Sequence, residues 1–202
     1  MASPYPLNLV SDSLNKNLNA AGVVCSIGST VINNLSSADD VVLLTPSAHA
    51  LSDLLSICDK FAEDNLVLFN TKKTKCMLVK SKRCSINKLP NIVLSGKRLT
   101  FVLKFKYLGH VISDNLSDNN DILNQNRKLC ARGNVLGRKY KAANVDVKKS
   151  LFQTFCSNIY CMTLWSSFTI LNMDTLRVNF NNILRRMLNI PSYASASHMF
   201  VT

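Results

Sequence analysis

Two adjacent carboxylates, Asp39 and Asp40, sit in the stretch NNLSSADDVVLLTPS (33–47), at the edge of the apolar run Val41 to Leu44. Aspartate supplies the hard oxygen ligands that suit Mg²⁺ or Mn²⁺. Nucleotidyl transfer by two ions needs carboxylates that hold them roughly 3.5–4 Å apart. Neighbouring residues of a strand point to opposite faces, so one aspartate would be the main ligand and the other a lesser one. The same pair also makes an ordinary solvated turn, because Asp carboxylates bond nearby backbone N–H groups. Locally, both readings stay open. The three histidines (His49, His110, His198) are far apart in sequence and carry no histidine-based metal site. The seven cysteines (Cys25, Cys58, Cys76, Cys84, Cys130, Cys156, Cys161) form no C-x-x-C pair and are odd in number. That pattern argues against a disulfide framework or a zinc site and for a reducing, intracellular setting.

Charge narrows the class of partner. The 202-residue chain has a net charge of +12, unevenly placed. Residues 1–69 hold 2 Lys or Arg against 7 Asp or Glu, and residues 70–202 hold 22 against 5. An acidic front and a strongly basic back point to a polyanion, nucleic acid first. Hydrophobic residues make up 47%, enough for a packed core and too many for a disordered chain. No apolar run is long enough to span a bilayer, so no membrane partner is expected. The first ten residues have neither a basic region nor a long apolar core, so no signal peptide is expected.

The elements that must position these residues can be read from periodicity. Residues 3–18 are expected to be helical, with Ser3 as N-cap and Pro4 in the first turn. Two short strands should follow, joined by a turn at Gly28–Thr30, and then LSSADDVVLL as strand, tight turn and strand, with the aspartates favouring the turn. Thr45 and Pro46 should open a helix bearing Leu51, Leu54, Leu55, Cys58 and Phe61 or Ala62 on its inner face, with Asn65 as its stop. LVLFN (66–70) and CMLVK (76–80) read as antiparallel strands. PNIVLSGKRLTFV reads as a hairpin around Ser95 and Gly96, and FKYLGHVIS (105–113) as a further strand. From Ser117 helical spacing takes over. The expected helices carry Ile122, Leu129, Val135 or Leu136 and Tyr140, weakened by Gly133 and Gly137; then Leu151, Phe152, Phe155, Ile159 and Met162, capped by Asp146; then Leu176, Phe180, Ile183, Leu184 and Met187, ended by Pro191. The class is α+β, with residues 1–113 a mostly antiparallel sheet and a packed helix, and residues 114–202 a helical bundle. The first two bundle helices hold most of a basic cluster: Arg127, Lys128, Arg132, Arg138, Lys139, Lys141, Lys148 and Lys149.

Seven blocks occur in one order: SPYPLNLVSDSL, GVVCSIGSTVINNLSSADDVVLL, FNTKKTKCMLV, FKYLGHVIS, ARGNVLGRKY, LFQTFCSNIYCMTLW and ILRRMLNIPSYAS. In order and spacing, across nearly all of residues 3–196, they resemble the reverse transcriptase of non-LTR (LINE-type) retrotransposons. The resemblance implies a partial polymerase palm with a primer-grip hairpin in 1–113 and a thumb-like helical region in 114–202. Ser37-Ala38-Asp39-Asp40 matches the family's Tyr-Ala-Asp-Asp hairpin, which implies Asp39 as the shared metal ligand and Asp40 as its neighbour. NTKKTK (70–75) matches the Asn-x-x-Lys-Thr block, and Lys73 falls on its lysine. That lysine is implied either to protonate departing pyrophosphate or to bind backbone phosphate. Phe105, Lys106, Tyr107, Leu108 and Gly109 match the primer grip. The basic cluster would hold the template–primer backbone without reading sequence.

What the resemblance implies for the parent enzyme is RNA-directed DNA polymerase chemistry on an RNA template, a DNA primer and dNTP, with Mg²⁺ or Mn²⁺, in the nucleus or cytoplasm. Two departures qualify it. SPYPLNLVSDSL corresponds to a point after the fingers and after the palm strand bearing the third metal-binding carboxylate, so the chain alone is expected to be inactive. Ser37 stands where the family has an aromatic residue, which removes bulk beneath the hairpin. The alternatives are a non-catalytic basic nucleic-acid-binding module and a functionless remnant.

Overall fold

The computed structural model describes residues 4–23, 25–80 and 88–195; the expected cap Ser3, Cys84 and His198 lie outside these. Contacts divide the chain into two compact units, 1–76 with 85–101, and 77–84 with 102–202. Residues 102–113, assigned by sequence to the front part, therefore belong with the helices and not on the far side of a boundary at 114.

The first unit contains α1 (Pro4–Ala20), the hairpin β1 (Cys25–Ile27) and β2 (Thr30–Ile32), the hairpin β3 (Asn34–Ser37) and β4 (Asp40–Leu43), and α2 (Ala48–Asn65). It ends with β5 (Lys75–Cys76), β6 (Val93–Leu94), β7 (Lys97–Arg98) and β8 (Thr100–Phe101). Apolar residues at helical spacing on α1 and α2, namely Leu14, Leu18, Leu54, Leu55, Cys58 and Phe61, meet Cys76, Ile92, Leu94 and Leu99 in one core. The N-cap of α2 is Ser47, two residues beyond the expected Thr45: its Oγ accepts from Ala50 N at 3.2 Å. Thr45 Oγ1 instead donates to Ser47 O. Asn65 closes the helix as expected, and Leu66 follows it in the left-handed region at φ 54°.

That cap overturns the strand expected at 66–70. Leu66 N–H is spent on Ala62 O, Val67 N–H goes to the same carbonyl, and Leu68 is 95% exposed. A helix end with its own hydrogen bonds outcompetes a strand that has no partner. Of the second segment (76–80) only Cys76 lies in a strand; with Lys75 before it, it pairs in parallel with β8, not antiparallel with 66–70. Among the described residues the strands form five separate two-stranded ladders, four antiparallel and one parallel, instead of one mostly antiparallel sheet. The hairpin around Ser95 and Gly96 is present as β6 and β7, with Ser95 N–H and Oγ both donating to Asp59 of α2 at 2.9 and 3.0 Å.

The second unit opens with β9 (Lys104–Tyr107) and β10 (His110–Ser113), so FKYLGHVIS forms a hairpin instead of one strand. α3 (Asn119–Lys139), α4 (Val145–Phe155), a single 3₁₀ turn (Met162–Leu164) and α5 (Ile170–Leu188) follow. Asn144, not Asp146, caps α4: its Oδ1 accepts from Val147 N at 2.9 Å. α4 stops at Phe155, short of Ile159 and Met162. α3 and α5 run side by side in the same direction, with Asn126 bonded to Asn179 and Asn134 to Arg186. Gly133 is a contact point and not a weakness. A Cβ placed there would overlap the Ile183 side chain, so glycine lets the two helices approach. Ile122, Leu129, Phe152, Cys156, Trp165, Ile183, Leu184 and Met187 are among the residues that fill the core between them. Among the described residues, no helix is long and apolar enough to cross a membrane.

Candidate nucleic-acid interface

Asp39 and Asp40 lie at the tip of the β3–β4 hairpin. Ser37 pairs with Asp40, which leaves Ala38 and Asp39 as a two-residue turn, with Ala38 at φ 50°. The hairpin is held from behind by α1. Asn33 Nδ2 donates to Leu18 O (2.6 Å), Asn34 Nδ2 to Asn19 Oδ1 (2.7 Å) and Ser36 Oγ to Asn15 Oδ1 (2.6 Å). Val41 and Leu43 pack on the core. Both aspartates are exposed. Among the described residues, no three His, Cys, Asp or Glu side chains gather where they could hold a metal ion. Two neighbouring carboxylates on an exposed turn do not make the ligand set that a two-ion centre needs. No catalytic step through a metal follows from this geometry.

Lys73 is exposed in a turn that Asn70 organises. Asn70 O accepts from Lys73 N (3.0 Å), Thr74 N (2.9 Å) and Thr74 Oγ1 (3.0 Å), and Asn70 Oδ1 accepts again from Lys73 N (3.2 Å). This explains the residue types of Asn-x-x-Lys-Thr: the asparagine closes the turn and the threonine locks it, so the lysine is held on the outside.

The β9–β10 hairpin is the better built element. Its turn, Leu108 (φ 45°) and Gly109 (φ 86°), has positive φ at both central positions, the geometry that matches the strand twist. Tyr160 clasps this tip. Its hydroxyl donates to Leu108 O at 2.7 Å, and a Cβ on Gly109 would come within 2.9 Å of the Tyr160 ring. Hydrogen bonding to Cys161, followed by the charge of that thiol, raises the Tyr160 phenol above its ordinary range. Phe105, Lys106 and Leu108 are exposed and Tyr107 is half-buried.

The hairpin base is pinned by Asp121, a fully buried carboxylate (0% exposed) in the first turn of α3. Oδ1 accepts from Val111 N at 3.1 Å and, weakly, from Gln125 Nε2 at 3.5 Å; Oδ2 accepts from Trp165 Nε1 at 2.9 Å. His110 Nδ1 lies 3.0 Å from Oδ2 without making a hydrogen bond, and His110 Nε2 lies 3.8 Å from Asp118 Oδ1. Asp118 in turn accepts from Ser166 N and Ser167 N, both at 2.8 Å. The carboxylates thus tie hairpin, α3 and the 162–167 segment together. Sequence reading gave these residues no role. An Asp-rich helix start was visible in SDNNDIL, but its partners lie too far along the chain to be seen.

Five members of the basic cluster (Arg127, Lys128, Arg132, Arg138, Lys139) lie on α3. Arg127, Arg138, Lys139 and Lys141 are exposed, and Lys128, Arg132 and Lys149 are half-buried. Lys148 differs: it is only 7% exposed and shares the inner face of α4 with Phe152, one turn on, so it is not presented as a backbone contact. Lys128 and Arg132, one turn apart, line an open concavity of about 390 Å³ with Gln125, Ala131 and Tyr160. Burial raises the Cys156 thiol pKa, and the Arg132 guanidinium partly lowers it. A cationic recess therefore abuts the tip of the hairpin through one shared side chain, Tyr160. Against known proteins, no family model matches the sequence, and no curated protein or solved structure matches it significantly.

Proposed function

We propose that this chain is a piece of a retrotransposon reverse transcriptase that binds nucleic acid through its helical unit and does not polymerise by itself. The ordered sequence blocks support the descent. The observation that carries the binding is the recess of Lys128, Arg132 and Tyr160 set against the Leu108–Gly109 tip. A packed hairpin tip beside two cations one helical turn apart can hold a phosphate backbone in register, with no base edge being read. The exposed Asp pair with no third ligand among the described residues supports the absence of catalysis.

The test is binding to an RNA–DNA duplex across a salt series. Lys128→Ala with Arg132→Ala should weaken binding and flatten the log–log salt slope by about two phosphate contacts, whereas Asp39→Ala should leave both unchanged. Primer extension with Mg²⁺ or Mn²⁺ should show no incorporation. Binding that ignores salt, or extension by the purified chain, would overturn the reading. No binding at all would favour a functionless remnant.

A further inference from the structure

The second unit holds another cationic recess that the hairpin does not touch. Asn179, Asn182, Arg185, Arg186, Ile190 and Ser192 line an open concavity of about 460 Å³ at the C-terminal end of α5. Both guanidinium groups are tied in place by neutral acceptors. Arg185 Nε donates to Ala194 O (3.0 Å) and its Nη1 to Asn182 Oδ1 (3.0 Å). Arg186 Nη1 donates to Asn134 Oδ1 (3.3 Å) and its Nε to Asn182 O (3.4 Å). Among the described residues neither arginine pairs with a carboxylate. No acid follows Asp174 in the sequence. Asp174 pairs with Arg177 (3.2 Å), about 16 Å up the helix from Arg185 at 1.5 Å per residue.

Arginines in a last helical turn commonly just offset the helix dipole. That account falls short here. Two of the last carbonyls are already capped, with Asn189 N–H donating to Arg185 O and Arg186 O and Ile190 N–H to Arg185 O. The parallel α3 ends beside α5 with its own Arg138 and Lys139 in the last turn, followed by Lys141. Each helix terminus supplies only about half a negative charge. Positive charge therefore exceeds what the two dipoles use, and Arg185 and Arg186 line a concavity whose lining has no acid. Two oriented guanidinium groups with unspent N–H donors suit the oxygens of a phosphate. Tyr193, next in the chain to the lining Ser192, is 89% exposed and offers a ring to a base.

Building on the nucleic-acid reading above, we propose that this recess binds a phosphodiester of a single strand, held by Arg185 and Arg186, with the adjoining base stacked on Tyr193. The test is fluorescence anisotropy with a labelled single-stranded oligonucleotide and, separately, an RNA–DNA duplex. Arg186→Gln and Tyr193→Ala, both at exposed positions, should each weaken single-strand binding by about fivefold or more, with Arg186→Gln also reducing the salt slope. Duplex binding by Tyr193→Ala should change less than twofold, since paired bases cannot stack on Tyr193. Arg185→Lys, which keeps the charge and loses the fork, should weaken single-strand binding with an unchanged far-UV spectrum. If the three variants bind the single strand as the parent does while Lys128→Ala with Arg132→Ala weakens it, the recess is not a site and the broader reading stands. If Tyr193→Ala weakens strand and duplex equally, the stacking assignment is wrong. If the parent chain binds neither, the broader reading fails and this site with it.

Discussion

Replacing Asp121 should release the β9–β10 hairpin from α3, and the cost can be worked from its partners. Two well-made bonds end on its oxygens, from Val111 N and Trp165 Nε1, on opposite atoms of the carboxylate. Asp121→Asn keeps the shape but turns one acceptor into a donor. Whichever way the amide faces, one of those two buried N–H groups loses its partner, at about 1–3 kcal/mol. Asp121→Ala strands both and leaves a small void, at about 3–5 kcal/mol. That is a large part of the roughly 5–15 kcal/mol that holds a domain folded.

Trp165 is the sole tryptophan and is buried in the same unit, so its fluorescence follows this unit through urea unfolding. The expected order of stability is parent, Asp121→Asn, Asp121→Ala. Trp165→Phe removes one donor, so the amide introduced by Asp121→Asn can turn its oxygen to serve Val111. The double variant, followed by far-UV dichroism, should therefore be more stable than the sum of the single losses by about 1 kcal/mol. A loss below about 1 kcal/mol for Asp121→Ala, or strict additivity in the double variant, would refute the idea that this carboxylate pins the hairpin.

Gly133→Ala should destabilise the helical unit by about 1–2 kcal/mol, because overlap with Ile183 outweighs the helix-propensity gain of about 1 kcal/mol; in an Ile183→Ala background the sign should reverse, as urea midpoints would show. In the first unit, burial and then the neighbouring Asp59 push the Cys58 thiol from 9.0 up to about 11. The folded state thus favours the protonated thiol, and that stabilisation is complete below pH 9 and lost as pH rises toward 11. Two pH units correspond to about 2–3 kcal/mol, so the stability gap between the parent and Cys58→Ala should narrow by about that much from pH 8 to pH 11. Asp39→Ala and Asp40→Ala should change stability by less than about 0.5 kcal/mol, since the hairpin is held through Asn33, Asn34 and Ser36; a larger loss in thermal unfolding would give the pair a structural role.

Elements whose causes lie within a few residues were legible in the sequence. The inner face of α2, the turns after Ile27, Ser37 and Leu94, and the end of α5 before Pro191 all follow from local spacing or turn chemistry. The errors share a cause as well. Thr45, Asp146 and LVLFN were each plausible alone, but a neighbour competed better: Ser47 and Asn144 took the caps, and Leu66 closed α2. Strand pairing was less legible still. β5 finds its partner in Thr100 and Phe101, and nothing in KC or TF announces a parallel register. Gly133 was misread because a glycine's value in a helix depends on what lies opposite, which only α5 reveals.

The two aspartate sites show the same division. Asp39 and Asp40 are conspicuous in sequence because they are adjacent, and the structure leaves them exposed with no third ligand among the described residues. Asp121 is inconspicuous because its two best-made hydrogen bonds come from 10 and 44 positions away, yet no part of it is exposed. A buried carboxylate is tolerated only where donors surround it, so the fold commits more structure to the hairpin base than to the Asp-Asp turn. The hairpin is therefore anchored at its base by Asp121 and at its tip by Tyr160, beside Lys128 and Arg132. The proposed backbone contact draws on that anchored hairpin, whereas the catalytic reading of Asp39 and Asp40 would require ligands that these residues alone do not provide.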